Sequence, residues 1–176
     1  MASTERSLFF SDQFAISCGT VTVDVQESKV LLIRSRKNGE YMLPKGRKDV
    51  NESLGATALR ETYEETGVKA QLLPVAIDSQ ATSTQGQDRP NAITEPIAVS
   101  QRMTQGGLKI IFWYVGMADS TIPPVEGTQQ ENEDFETVWL DPFEADHVLS
   151  WEDDRRILEK AVAAVQNEEA ASSDKA

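Results

Sequence analysis

The sequence predicts an α/β fold, a three-layer α/β/α sandwich with a mixed sheet. Two observations carry that prediction. Runs with strand-like alternation come both before and after a single strongly helical segment, and an amphipathic helix follows near the end. Between the strand runs, the 23-residue stretch Gly46–Val68 (GRKDVNESLGATALRETYEETGV) packs acidic side chains at helical spacing between a capping signal and a glycine stop.

The elements follow in order. Residues 1–12 read as a loose arm, in which Phe9 and Phe10 could tether it or meet a ligand. Residues 14–25 (FAISCGTVTVDV) place Val21, Val23 and Val25 on one side, as a strand does. Gln26–Ser28 is a tight turn, and Lys29–Ser35 (KVLLIRS) is a second, antiparallel strand. Asn38-Gly39 signals another turn, and Tyr41-Met42-Leu43 is a short strand running into Pro44. Asn51 or Ser53 can cap the next helix, and Gly67 can end it in the left-handed conformation. Within it, Leu59, Thr62, Tyr63 and Thr66 are expected to face the core. Residues 71–78 (QLLPVAID) read as a strand kinked at Pro74. Residues 79–94 carry no apolar period and read as a long mobile loop. Residues 95–103 and 107–117 form a hairpin through Gln105-Gly106-Gly107, with LKIIFWYVG as a central strand. A loop over 118–136 carries the acids Glu126, Glu131, Glu133, Asp134 and Glu136, and Thr137–Leu140 is a short strand. Asp141–Leu149 is a helical turn. Ser150 and Asp153 have capping-box spacing ahead of a helix with Leu158, Ala161, Val162 and Val165 on one face. Residues 167–176 read as a disordered tail, leaving one domain over 13–166.

Composition narrows the function classes. A net charge of −12 argues against general nucleic-acid or membrane-surface binding. No apolar run reaches the roughly 20 residues of a membrane-spanning helix, and MASTERSLFF lacks the form of a signal peptide. A cytoplasmic or nuclear protein is expected, although a mature secreted chain would read the same way. The single cysteine, Cys18, allows no internal disulfide and reads as a buried small side chain. His147 has no partner pattern, and nothing in the sequence sets an oligomeric state.

Charge is distributed unevenly. Between Arg34 and Lys48, six basic residues (Arg34, Arg36, Lys37, Lys45, Arg47, Lys48) face one acid, Glu40. That window is +5 by count, leaving −17 for the rest. A basic segment ending in an acidic helix reads either as a polyphosphate cradle or as a solubilising loop. Glu61, Glu64 and Glu65 stand at i, i+3 and i+4, where like charges destabilise a helix. A hard divalent cation with oxygen ligands relieves that repulsion and also holds phosphate oxygens. Arg60 could orient Glu64. The bland alternative is a solvated acidic face with Arg60 as its partner.

Gly46, five residues, Glu52, seven residues, Arg60-Glu61, then Glu64-Glu65, Gly67 and Val68 is the spacing of the Nudix box, so the chain resembles a Nudix hydrolase. Thr62 departs from the pattern, which has an aliphatic residue there. The resemblance implies a Nudix-type α/β/α sandwich and hydrolysis of a nucleoside diphosphate linked to another group, or of a related pyrophosphate. It implies Mg²⁺, or Mn²⁺, held by Glu61, Glu65, Glu64 and the backbone carbonyl of Lys45 beside Gly46. Glu52 then looks like an outer carboxylate and Glu64 like a further ligand or the proton acceptor, with Glu126, Glu131 and Glu133 as rivals for that last role. MLPKG before the box is similar to the diphosphoinositol polyphosphate and diadenosine polyphosphate hydrolases. In that branch Arg34, Ser35 and Arg36 match phosphate-binding positions, Lys45, Arg47 and Lys48 add charge, and Tyr41 either stacks on adenine or packs. The basic cluster that the branch carries on its first strand is absent; Ala15-Ile16-Ser17 stand there. A nucleoside triphosphate or nucleotide-sugar pyrophosphatase and a catalytically silent binding module remain alternatives.

Overall fold

Residues 6–83 and 90–173 are described by a computed structural model, the side chains only as far as residue 167. Eight strands are β1 (Phe14–Asp24), β2 (Lys29–Ser35), β3 (Tyr41–Met42), β4 (Lys45–Arg47), β5 (Gln71–Leu72), β6 (Ala98–Thr104), β7 (Gly107–Met117) and β8 (Phe135–Leu140). Three helices are α1 (Leu54–Thr66), α2 (Pro142–Val148) and α3 (Glu152–Ser173). All eight strands form one mixed sheet. Its centre is β1 running parallel to β7, from Phe14 opposite Leu108 to Val23 opposite Met117.

Each central strand shares its outer edge between two partners. On β1, β2 pairs at Val23 and Asp24, whereas β4 pairs at Ser17, Cys18 and Gly19. On β7, β6 pairs along Gly107–Trp113 and β5 at Gly116 and Met117. The sequence reading missed β4 because three residues after Pro44 show no alternation; it exists only as a pairing with β1.

Strand alternation assigns the two faces. On one, Cys18 and Tyr114 pack with Ala58 of α1. On the other, Val21, Val23, Trp113 and Val115 pack with Ile157, Leu158 and Ala161 of α3. Burial pushes the Cys18 thiol up to about 11, consistent with an inert side chain. The box helix begins at Ser53, whose hydroxyl accepts the Ala56 N–H, and ends at Gly67 with φ 71°. A Cβ at Gly67 would sit 2.1 Å from the Val125 carbonyl oxygen, so glycine is needed there for space as well as for conformation.

Several expectations change. The buried arc of α1 is Thr57, Ala58, Glu61, Thr62, Glu65 and Thr66, whereas Leu59 and Tyr63 are only partly buried. Two glutamates therefore lie inside the packed arc instead of opposite it, because that side of the helix meets the edge of β4. The stretch 71–78 is a strand only at Gln71–Leu72; Pro74 cannot donate to a ladder, and Val75 instead bridges Ile93. The expected mobile loop lies partly outside the described residues, at 84–89. Ser150 does not cap α3, because its hydroxyl accepts the Tyr41 N–H from across the fold. The helix continues to Ser173, through most of the stretch expected to be a disordered tail. Among the described residues, no helix is long and apolar enough to cross a membrane.

Thr62 has a physical role of its own. Its hydroxyl donates to the Ala58 carbonyl at 2.8 Å and also meets Thr20 Oγ1 at 2.7 Å. Thr20 Oγ1 in turn meets Thr22 Oγ1 at 2.7 Å. Each hydroxyl has a single proton, so the chain of donors runs Thr22 to Thr20 to Thr62 to the helix backbone. This buried relay ties β1 to α1 where an aliphatic side chain would only pack. Thr62→Val leaves Thr20 without its acceptor, and we expect a loss of about 1–2 kcal/mol in urea unfolding; an unchanged midpoint would mean the relay contributes nothing.

Candidate active site

Four carboxylates and one guanidinium form the core of the site. Arg60 Nε donates to Glu52 Oε1 at 2.8 Å and Nη2 to Glu52 Oε2 at 2.9 Å, a bidentate pair. Its Nη1 donates to Glu61 Oε1 at 2.7 Å and Glu64 Oε2 at 3.0 Å, and Nη2 also donates to the Arg47 carbonyl at 2.9 Å. One side chain thus joins the loop before α1, two turns of α1 and strand β4. The expected relief of carboxylate repulsion by an ion is supplied in large part here by Arg60.

The ladder explains why β4 presents backbone groups to the helix. Lys48 donates to Ile16 and Thr20 donates to Pro44, so alternate residues of β4 bond to β1. The intervening Lys45 and Arg47 point their backbone groups the other way. Lys45 N–H accordingly donates to Glu65 Oε2 at 2.8 Å, and the Arg47 carbonyl receives Arg60. The Lys45 carbonyl lies on this same free edge. Gly46 makes the approach possible, since a Cβ there would lie 1.8 Å from Glu61 Oε2.

Burial dominates the charge state of two acids. It pushes the Glu65 carboxyl up to about 8, with Lys45 opposing, and raises that of Glu61 against the pull of Arg60. Glu133, from the acidic loop, is close enough to raise both. Among the described residues, Glu61 Oε2 and Glu65 Oε1 accept no hydrogen bond, and no group of three His, Cys, Asp or Glu side chains is placed to hold a metal ion. The donor chemistry nevertheless suits a hard cation: two carboxylate oxygens with spare lone pairs, on the largely buried Glu61 and Glu65, and a free-edge carbonyl.

The predicted basic segment divides. Arg34 meets Glu136 at 3.5 Å and lies 5.5 Å from the centre of the Tyr41 ring, while Arg36 meets Asp134 at 3.4 Å. These are exposed ion pairs along the β2–β8 edge and carry little energy. Ser35 is buried, and its backbone closes the β2–β3 turn with Gly39 and Glu40. Tyr41 is partly buried against the core. Lys48 Nζ donates to the Asp49 carbonyl.

Lys45 and Arg47 instead join Arg102 and Lys109, two cations that the sequence makes available for phosphate without aligning them to a binding position. Burial, with repulsion from Lys45, Arg102 and Arg47, pulls Lys109 down to about 8. Arg102 and Lys109 face each other across the β6–β7 hairpin, a register that the two-residue turn at Gln105-Gly106 would have revealed. Beside them a cavity of about 450 Å³ opens on the α3 side of the sheet, lined by Lys45, Arg102, Trp151, Asp153 and Asp154 and floored by Trp113.

Fold and site together define a member of a known class, and comparison with known proteins agrees. The NUDIX domain model matches residues 14–161, so the chain belongs to the Nudix family. It is 53% identical over 47 residues to Nudix hydrolase 21, chloroplastic, of Arabidopsis thaliana, covering 26% of this chain and 24% of that one. To Nudix hydrolase 3 of Caenorhabditis elegans it is 44% identical over 59 residues, covering 31% and 25%. The matches thus span about a quarter of those relatives' length. A C. elegans Ap4A hydrolase in a binary complex superposes with TM-score 0.62 at 15% identity, covering 87% of this chain and 98% of that one. A Nitrosomonas europaea NUDIX hydrolase gives 0.58 at 15%, covering 86% and 90%. At these identities the structures establish the fold alone. Nudix hydrolases generally use divalent metals.

Glu52 provides a direct test of the Arg60 hub. The hydrogen bonds from Arg60 hold its carboxyl at about 2, against an ordinary 4.5. A depressed carboxyl adds stability that is complete above pH ~4.5 and lost as pH falls toward ~2. Glu52→Gln is therefore expected to cost about 3 kcal/mol at pH 7, with the gap to wild type narrowing to less than half of that at pH 3 in urea titrations. A gap independent of pH would rule out the charge as its cause.

Proposed function

We propose that this protein is a metal-dependent hydrolase of phosphoric anhydride bonds in polyphosphorylated small molecules, with diadenosine polyphosphates and diphosphoinositol polyphosphates as the candidate substrates. The observation that carries the reading is the intact carboxylate set of the box, with buried Glu61 and Glu65 at the free edge of β4 beside the cationic group Lys45, Arg47, Arg102 and Lys109. A silent binding module would not need to bury two glutamates at an energetic cost.

Glu61, Glu65, Glu64 and the Lys45 carbonyl would hold Mg²⁺ or Mn²⁺, with Glu61 or Glu64 turning from Arg60 toward it. When bound, the ion supplies charge neutralisation and a more acidic water. The protein's part is positioning and electrostatics. Lys45, Arg47, Arg102 and Lys109 would take phosphate oxygens, and Arg60 keeps the acids in place whichever of them is engaged. Glu64 accepts the proton from attacking water, with Glu133 as the alternative close to the same carboxylates. The ion pairs of Arg34 and Arg36 place both side chains farther along the sheet edge, where they would reach a distal phosphate. We place the protein in the cytoplasm or nucleus. A nucleoside triphosphate or nucleotide-sugar pyrophosphatase is the second reading; the cationic group would serve a triphosphate too.

A panel of inositol pyrophosphates, dinucleoside polyphosphates, ADP-ribose and dNTPs, assayed with Mg²⁺ and with Mn²⁺, tests this. Turnover is expected to stop with EDTA. Glu64→Gln and Glu65→Gln are each expected to reduce it by orders of magnitude, roughly 10²–10⁴-fold for a lost base, while circular dichroism stays native. Full activity in both variants would refute the site assignment.

A further inference from the structure

The C-terminal turn of α1 is finished by side chains from another part of the chain. The last carbonyls of a helix lack partners within it. Here Thr128 Oγ1 donates to the Glu64 carbonyl at 2.9 Å, Gln129 Nε2 to the Glu65 carbonyl at 3.0 Å and Thr137 Oγ1 to the Thr66 carbonyl at 2.8 Å. All three donors are uncharged, and the last turn of α1 holds no basic residue. A lysine or arginine would bond the same carbonyls and suit the helix dipole better. Its charge, however, would stand beside Glu64 and Glu65 and compete with any cation they hold. Gln129 does more than cap. A carboxamide carries two N–H donors and an accepting oxygen, and Gln129 uses all of them. Its Nε2 also donates to the Phe135 carbonyl at 2.9 Å, and its Oε1 accepts the Phe135 N–H at 2.9 Å. One side chain thus closes the loop 129–135 at its base and fastens that base to the box helix.

Inside the closed loop, the Glu133 N–H donates to the Gln130 carbonyl at 2.9 Å, and Glu133 Oε2 accepts the Gln130 N–H at 3.1 Å. The far side of the loop is held as well: Lys37 Nζ donates to the Asn132 carbonyl at 2.7 Å, and the Arg36 N–H to the Asp134 carbonyl at 2.9 Å. Glu133 stands close enough to Glu61 and Glu65 to oppose their charge, yet bonds neither. We propose that Gln129 is a positioning residue for hydrolysis: its carboxamide sets the acidic loop against the end of α1 and so presents Glu133 to the box acids. The contacts of Gln129 are all with backbone, so its effect on turnover passes through Glu133. That carboxylate adds negative charge beside Glu61 and Glu65 whichever acid takes the proton. The inference rests on the hydrolase reading for its effect on turnover and on the hydrogen bonds alone for the fixing of the loop.

Two readouts separate these parts. Gln129→Met removes all three bonds at nearly constant side-chain volume, so the fold is expected to persist. In metal-free protein its Phe135 amide is expected to exchange with deuterium roughly ten-fold faster than in wild type, while the amides of Ala58 to Thr62 keep their protection. In the turnover assay, Gln129→Met and Glu133→Gln are each expected to lower kcat roughly ten- to hundred-fold with KM unchanged. The double variant is expected to be no slower than Glu133→Gln alone. A further loss in the double variant, or full kcat in Glu133→Gln, would overturn the positioning role, since a cap that only steadies α1 acts whether or not Glu133 is present. An unchanged Phe135 exchange rate would overturn the fixing of the loop. Wild-type protein that turns over no compound of the panel would instead sink the hydrolase reading, with Phe135 exchange still deciding whether Gln129 holds the loop.

Discussion

One guanidinium holds the functional part of this molecule together. Arg60 bonds Glu52, Glu61, Glu64 and the Arg47 carbonyl at the same time, so the loop before α1, the helix and strand β4 share a single cation. Without it, acids closely spaced on one helix would repel each other in a partly desolvated place. With it, they are held in a defined arrangement whose net charge stays negative. Burial raises the carboxyls of Glu61 and Glu65 against the pull of the neighbouring cations, so their charge depends on what stands beside them.

The sheet supplies the second condition. Because β4 occupies only the Ser17–Gly19 portion of the edge of β1, its own outer edge is free of strands and open to side chains from α1. The shared edge is what makes room for β4: a β2 continuing along β1 would have taken its place. The threonine relay from Thr22 through Thr20 to Thr62 holds α1 against that edge from the other side of β1. The two devices act on different faces of the same helix, one ionic and at the rim, the other neutral and buried.

The opposite side of the sheet carries the cavity. The same alternation that points Thr20 and Thr22 at α1 points Val21 and Trp113 toward α3, so the box acids and the cavity lie on different faces of adjacent strands. They meet at Lys45, whose backbone serves one and whose side chain serves the other.

Much was legible from residue order because its causes are local. The strand limits at Lys29–Ser35, the Ser53 cap and Gly67 stop of α1, and the hairpin after Thr104 follow from periodicity, capping and turn chemistry within a few residues of each position. The box carboxylates and Arg60 were legible for the same reason, since their spacing lies on one helix. What depended on distant partners was not. Glu61 and Glu65 are buried because β4 lies against α1, Ser150 serves Tyr41 instead of its own helix, and Arg34 and Arg36 turn to Glu136 and Asp134. Arg102 and Lys109 became part of the site through pairing of β6, β7 and β1. A sequence determines which groups can share a turn of helix or a face of a strand; only packing decides which charges are deprived of water and which cation stands beside them, because both are properties of what lies across the chain.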